Sequence, residues 1–279
     1  MAEQVTLPEP SLVARRIGAR RVPALIDEGL ARATGVRIAF TGRAGGVSAP
    51  PYDSLNLGSH VGDDPRAVER NRALLLEAAG AAHAQVVVPN QVHGTHGVAI
   101  ESSDAAAVSR ARLEAERGAD FLAVAVPDVA ALLCFADCTP VVIVSPTGRF
   151  AVAHAGWRGA LAGIAGKAAR ALADLDAAEG AGPSGYNAYI GPHIHAECFE
   201  CGADVVERFR KEFGAAAVPD ARHVSLKGAV SADLARAGLA PERIADAGVC
   251  TKCHPEKYFS YRASGGACGR MGALAVRLR

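Results

Sequence analysis

From Val129 to Gly156 the chain reads "VAALLCFADCTPVVIVSPTGRFAVAHAG", apolar apart from two breaks, "ADCTP" and "SPTG", and the residues Arg149 and His154. Short apolar runs bounded by Pro and Gly turns predict three buried strands. Earlier, "VRIAF" predicts a strand leading into a long Gly-, Pro- and Ser-rich loop that ends at "GDDP". A loop of that length without regular structure is functional or disordered, and Tyr52, Leu55 and Leu57 supply anchors for an ordered one. Asp64-Pro65 then opens a helix running to about Ala79, because Asp caps, Pro suits the first turn and Gly80 stops it. "QVVVPNQVHGTHGVAI" predicts strand, bend and strand. Small apolar residues at helical spacing predict a helix over residues 159–175. "NAYIGPHI" is a strand entering a bend, "GADVVERFRKEFG" a helix, and "KYFSYRASGGACGRMGALAVRL" a strand, a glycine loop and a closing strand.

The first 35 residues carry no clear pattern. No internal repeat and no linker divides the chain, so one α/β (mixed α+β) domain over residues 1–279 is expected. Half the residues are apolar and 21% charged, the mixture of an ordinary globular protein. The formal net charge of +1 provides no basic field for nucleic acid or an anionic membrane, so neither partner is expected. The opening "MAEQVTLPEPSLVARR" does not read as a secretory signal, and no run reaches the ~18 apolar residues of a membrane span, so cytoplasm is the expected location. Seven cysteines, an odd number in such a chain, argue for metal binding, nucleophilic chemistry or burial rather than a disulfide framework.

The candidate chemistry sits where predicted strands run out into turns. His93 follows "NQV", Cys138 lies in "ADCTP", and His154 ends a strand before "AGWRG". Two imidazoles and a thiolate suit zinc and leave a fourth position open. The same residues also fit a Cys138–His154 nucleophile and base, with the imidazole lowering the thiol pKa, or plain buried side chains. Cys198 with Cys201, and Cys250 with Cys253, form two Cys-x-x-Cys elements beside His254. Their separation is far longer than the ~15–20 residues of a zinc ribbon, so a structural zinc and a simple helix entry both stand as readings. Arg43, Arg72, Arg158, Arg262 and Arg270 occupy glycine-rich or helical contexts that suit phosphate or carboxylate. Asn56, Asn71 and Gln91 fit either substrate contacts or loop bracing.

With these segments laid out, the chain closely resembles the YfiH family, whose members carry the labels laccase-like polyphenol oxidase, purine nucleoside phosphorylase and peptidoglycan editing factor. The matching stretches are "GGVSAPPYDSLNLGSHVGDDPRAVERNR", "NQVHG", "GADFLAV", "ADCTPVVIV", "AVAHAGWRG", "IGPHI" and "CTKCHPEKYFSYR", followed by "GR", in family order from about residue 40 onward. The resemblance implies a single α/β domain with mixed sheets flanked by helices. It also implies a zinc held by His93, Cys138 and His154, with copper as the alternative metal; it gives no role to the Cys-x-x-Cys pairs.

The implied activity is phosphorolysis of adenosine, inosine, guanosine and 5'-methylthioadenosine, together with deamination of adenosine. Phosphate then needs an arginine, with Arg72 the first choice and Arg43 and Arg262 behind it; Cys138 and His154 are the catalytic candidates beside it. Asp137 is a further candidate for handling a proton or orienting a ligand. The alternatives are a peptidoglycan-precursor editing amidase and a copper-dependent polyphenol oxidase. The latter needs several linked copper centres, and among nine histidines only "HIH" at residues 193–195 offers the close pairing such centres use. The expected partners are small molecules, purine nucleosides and phosphate, and the expected state is a monomer or weak homodimer.

Overall fold

The computed structural model describes residues 6–279, so the part of the leader reading that rests on the first five residues lies outside the described residues. The unassigned N-terminal region contains an antiparallel hairpin, β1 (Val13–Ile17) with β2 (Val22–Ile26), and a helix, α1 (Glu28–Thr34). Asp27 caps α1 by accepting from the Leu30 N–H, and Gly35 ends it at φ +73°, a left-handed turn that glycine takes without strain. The predicted strand over "VRIAF" is β3 (Val36–Thr41). The long loop is ordered: Leu55 and Leu57 are fully buried, the Tyr52 hydroxyl donates to Val61 O, and the Asn71 amide gathers Ser48, Ser54 O and Asn56 O. Helix α2 (Pro65–Ala78) starts and stops where its signals stand, with the Asp64 side chain accepting from Arg66 N.

"QVVVPNQVHGTHGVAI" does form two strands, β4 (Gln85–Val87) and β5 (Gly97–Ile100). Next come α3 (Ala105–Glu116), which the sequence reading left out, and β6 (Phe121–Val124). The apolar runs become β7 (Val129–Phe135), β8 (Thr139–Val144) and β9 (Phe150–Ala155). The single helix expected over residues 159–175 is two, α4 (Trp157–Leu161) and α5 (Ile164–Leu175). The break falls at Gly163, which sits at φ +74°, a conformation that a continuous right-handed helix excludes. After β10 (Asn187–Ile190) follow α6 (Ala203–Phe213), α7 (Leu226–Arg236) and the short β11 (Ile244–Asp246). The expected strand at "KYFSYR" is absent. Ser260 caps a short helix there, α8 (Tyr261–Ser264), by accepting from Ala263 N, and the closing strand is β12 (Met271–Arg277).

The strands form two mixed six-stranded sheets, ordered β1-β2-β3-β12-β7-β4 and β11-β10-β8-β9-β6-β5. Their inner faces share one core that includes Phe40, Leu133, Phe135, Val142, Val152 and Ala273. The outer face of the first sheet packs Leu132 and Leu274 against Leu75 of α2 and the loop residue Leu57. The outer face of the second packs Val141, Ile143 and Ala153 against α5, α6 and α7. Successive residues of β7, β8 and β9 therefore enter different cores, which is why these strands read as unbroken apolar runs rather than as alternating ones.

This layering also positions the chemistry. Residues 136–138 carry the chain from β7 in one sheet to β8 in the other, and residues 88–96 make the same crossing from β4 to β5. The β8–β9 register pairs Pro140 with His154 and Thr139 with Ala155, so Cys138 emerges beside the end of β9.

Candidate metal centre and cavity

His93, Cys138 and His154 converge: one donor atom from each lies within 4.8 Å of the others. Cys138 Sγ is 3.7 Å from His93 Nε2, and the two imidazole centroids are 4.9 Å apart at an edge-on angle. His93 is exposed and His154 buried, so the cluster opens outward on one side.

A residue that the sequence reading passed over organises this cluster. Asp120, directly before β6, is fully buried, and its carboxylate accepts the backbone N–H groups of Val92, His93 and Gly94 at 3.2, 3.0 and 2.7 Å. His93 reaches this arrangement at φ +60°, so consecutive amides turn toward one anion. Asp120 Oδ1 also lies 2.9 Å from His154 Nδ1. With Nδ1–H donated to Asp120, the Nε2 lone pair of His154 is left for a metal. Burial works to raise the Asp120 pKa, but the hydrogen bonds to His154, Gly94 and Val92 outweigh it, and the carboxyl stays below its ordinary range. The signal was present in "GADFLAV": an acidic residue at the mouth of a wholly apolar strand has no solvent to face. Gly156 is the other silent contributor. A Cβ there would stand 2.5 Å from His93 Cδ2 and 3.2 Å from Cys138 Sγ, so only glycine lets the imidazole and thiol approach.

The charges within the cluster are coupled. Burial opposes ionisation of the Cys138 thiol, yet His154, and then His93, bring its pKa down to about 6. Burial likewise opposes protonation of His154, while the Cys138 thiolate and Asp120 raise its pKa to about 9. Without metal, the pair is thiolate and imidazolium between these values. We expect alkylation of Cys138 in metal-stripped protein to rise through a midpoint near pH 6, well below an ordinary thiol, and a midpoint above pH 8 would contradict the pairing. Metal uptake inside that window should release a proton from His154, because the ring must present a lone pair. Replacing Asp120 by Asn puts an N–H where the backbone donors point and weakens the hold on His154. We expect Asp120→Asn to lower metal affinity by ~10–100-fold, measured by competition with a chromophoric chelator; unchanged affinity would remove Asp120 from the centre.

The three donors lie in the wall of a cavity of about 480 Å³. Arg72, Arg158, Arg262 and Arg270 line it, as do Trp157, Phe199 and Tyr261. Arg72 projects from α2, and its Nε donates to Leu57 O at 3.0 Å. Arg262 donates to Glu200 O and stacks over Phe199, and its backbone N–H donates to Asp137 Oδ2 at 2.7 Å. Arg43 is not brought to the cavity. Its guanidinium is spent on Asp53, on Pro255 O and on the face of Phe259, where it fastens the loop.

The amides prove to be braces. Gln91 exchanges two hydrogen bonds with the Cys134 backbone, and Asn56 binds Gly58, Asp63 and Arg270 N. Asp137 accepts from Thr251 Oγ1 and Arg262 N, so its two carboxylate oxygens tie α8 and the segment at Thr251 to the bend. Cys134 also lines the cavity, but burial pushes its thiol pKa up, and the thiol lies within reach of Leu57 O as a donor. His193 and His195 belong to neither cluster of metal-capable side chains among the described residues.

Three findings place the chain among known proteins. Residues 37–278 match the family described as multi-copper polyphenol oxidoreductase laccase. A purine nucleoside phosphorylase of Streptomyces coelicolor is 39% identical over 241 residues, covering 82% of this chain and 90% of its own, and the purine nucleoside phosphorylase YfiH of Escherichia coli is 35% identical over 244 residues, covering 86% and 93%. The crystal structure of a Bacillus licheniformis YfiH protein superposes with a TM-score of 0.78 at 29% identity, covering 92% of this chain and 96% of that one. With the same two-sheet fold and a match across nearly the whole length, this chain belongs to the YfiH family of laccase-like proteins, whose relatives include enzymes named purine nucleoside phosphorylases.

Proposed function

We propose that this single domain is a zinc-dependent purine nucleoside phosphorylase, acting on adenosine, inosine, guanosine and 5'-methylthioadenosine, that also deaminates adenosine. The observation that carries the reading is that one cavity holds a His2Cys donor set and a cationic wall led by Arg72. The donors fit zinc: a borderline-soft set of two imidazoles and one thiolate, with the buried imidazole oriented by a carboxylate. Held by His93, Cys138 and His154, zinc would act as a Lewis acid and would lower the pKa of a water molecule.

The remaining work falls to the chain. Arg72 neutralises and orients the phosphate dianion toward C1' of the ribose, and Arg262 adds a second cationic contact. Trp157, Phe199 and Tyr261 give a flat purine apolar faces to lie against. Asp120 holds His154 and the His93 backbone so that neither ligand moves as charge develops. Cys138 supplies the anionic donor. The protein works in the cytoplasm as a monomer or weak homodimer; among its described residues no helix is long and apolar enough to cross a membrane.

The copper-oxidase reading shares the donor set, since imidazole and thiolate also suit copper. It further needs linked copper centres, and the other metal-capable cluster among the described residues is made of thiols alone.

The test is product analysis on a nucleoside panel with phosphate titrated from zero. Inosine is expected to give hypoxanthine and ribose 1-phosphate only when phosphate is present, and adenosine to give inosine without it. Free ribose as the sugar product would replace phosphorylase by hydrolase.

A further inference from the structure

The two Cys-x-x-Cys elements do meet, but not as four ligands. Cys198, Cys250 and Cys253 bring their sulfurs within 4.8 Å of one another, while Cys201 stays out of the group, its thiol directed to Phe199 O at 3.6 Å. All seven cysteines are free thiols. Burial of an apolar sulfur accounts for Cys250, which is 4% exposed. It does not account for Cys253, which is exposed, or for Cys198, which is half-buried; yet these two sulfurs stand 3.4 Å apart across 55 residues of sequence.

We propose that Cys198, Cys250 and Cys253 form a second metal site, taking one thiophilic cation of the Zn2+ class, that clips one wall of the cavity together. Three thiolates at ~2.3 Å from a tetrahedral zinc stand about 3.8 Å from one another. The 3.4 Å between Cys198 and Cys253 lies just under that value and all three sulfurs fall within 4.8 Å, so small rotamer shifts close the site. The backbone is already set. His193 N donates to Val249 O and Thr251 N to His193 O, which docks the segment around Cys250 beside the strand exit that leads to Cys198. The His195 N–H donates to Cys250 Sγ at 3.4 Å, the kind of contact that disperses charge on a ligating thiolate. The fourth position is left to solvent.

The consequence for the cavity follows from chain order. Phe199 is the residue after Cys198, and Tyr261 and Arg262 lie in the segment that leaves the Cys253 turn; all three line the cavity. A metal on the three sulfurs fixes the two segments to each other at the base of that wall. It takes no part in the chemistry at His93, Cys138 and His154.

Metal content tests the proposal without reference to activity, so its outcome is independent of the phosphorylase reading. Full-length protein, reduced and loaded with Zn2+, is expected to hold two ions per chain. Cys253→Ser, Cys198→Ser and Cys138→Ser should each hold one, Cys138→Ser/Cys253→Ser none, and Cys201→Ser two. Cys253 is exposed, so its serine variant decides the matter if a Cys250 variant does not fold. Loaded with Co2+, Cys138→Ser protein should give sulfur-to-metal absorbance about three times as intense per ion as Cys253→Ser protein, three thiolates against one. Hydrogen exchange in residues 196–201 and 250–262 of Cys138→Ser protein should slow when Zn2+ is added. One ion in the wild type with no loss in Cys253→Ser would overturn the site, as would a Cys198–Cys253 disulfide in protein purified under reducing conditions. Unaltered exchange would overturn its role as a clip.

Discussion

Cys138→Ser is expected to strip the zinc of the His2Cys centre and, with it, both proposed reactions, lowering kcat/KM by at least ~10³-fold, or about 4 kcal/mol. Cys138 is the one anionic donor in the cluster, already drawn toward the thiolate by His154. A serine hydroxyl of nearly the same size stays protonated near neutral pH, and two imidazoles alone leave the metal half-ligated. His93→Ala should give the same loss with little effect on folding, because His93 is exposed. His154→Ala should cost stability as well, since it strands the buried Asp120 carboxylate without its cation. Elemental analysis, kcat/KM and thermal melting of the three variants separate these effects. Retention of a full complement of zinc by both Cys138→Ser and His93→Ala would remove the centre from the mechanism.

Arg72→Ala is expected to divide the two activities. Phosphorolysis of inosine should fall by ~30–1,000-fold, the loss of about 2–4 kcal/mol from a charge-assisted contact to a dianion, while deamination of adenosine changes only a few-fold because its nucleophile is water. Arg72 also donates to Leu57 O, so Arg72→Lys serves as companion: it keeps the charge and gives up the fixed fork, and should recover part of the phosphate dependence. The measurement is initial rate against phosphate concentration for both substrates. Equal loss of the two activities in Arg72→Ala, with zinc content intact, would take Arg72 off the phosphate.

The residues of the candidate metal centre were legible because each stands in a local pattern that a strand end or turn imposes. His93, Cys138 and His154 could be nominated from "NQVHG", "ADC" and "AHAG"; what spacing could not supply was the β8–β9 register and the two crossings between sheets that bring them together. Asp120 was missed for the reason that makes it effective. Its partners are His93 with the residue on either side of it, and a histidine 34 positions on, and neither relation has a periodic signature.

Arg43 stood behind Arg72 as a phosphate candidate, and tertiary placement makes it a loop fastener while Arg72 lines the cavity. The Cys-x-x-Cys spacing pointed to pairs, whereas the fold brings Cys198, without Cys201, to Cys250 and Cys253. Helix α2 was read almost to the residue because its caps are local. The "KYFSYR" segment was misread as a strand because its aromatic content outweighed the cap at Ser260.

Strand β12, residues 271–277, is not at an edge; it lies between β3 and β7 and pairs with both. During biosynthesis β3, with β2 on one side, and β7, with β4 on one side, therefore each leave the ribosome with the other edge open, and more than 130 further residues follow Phe135 before the strand that joins them is made. Cys138 lies three residues past β7, in the bend that leads to β8, so one side of that bend rests on a sheet that stays open until then. A chain cut short before residue 271 accordingly keeps two open β-edges, one on β3 and one on β7, for chaperones or proteases to find.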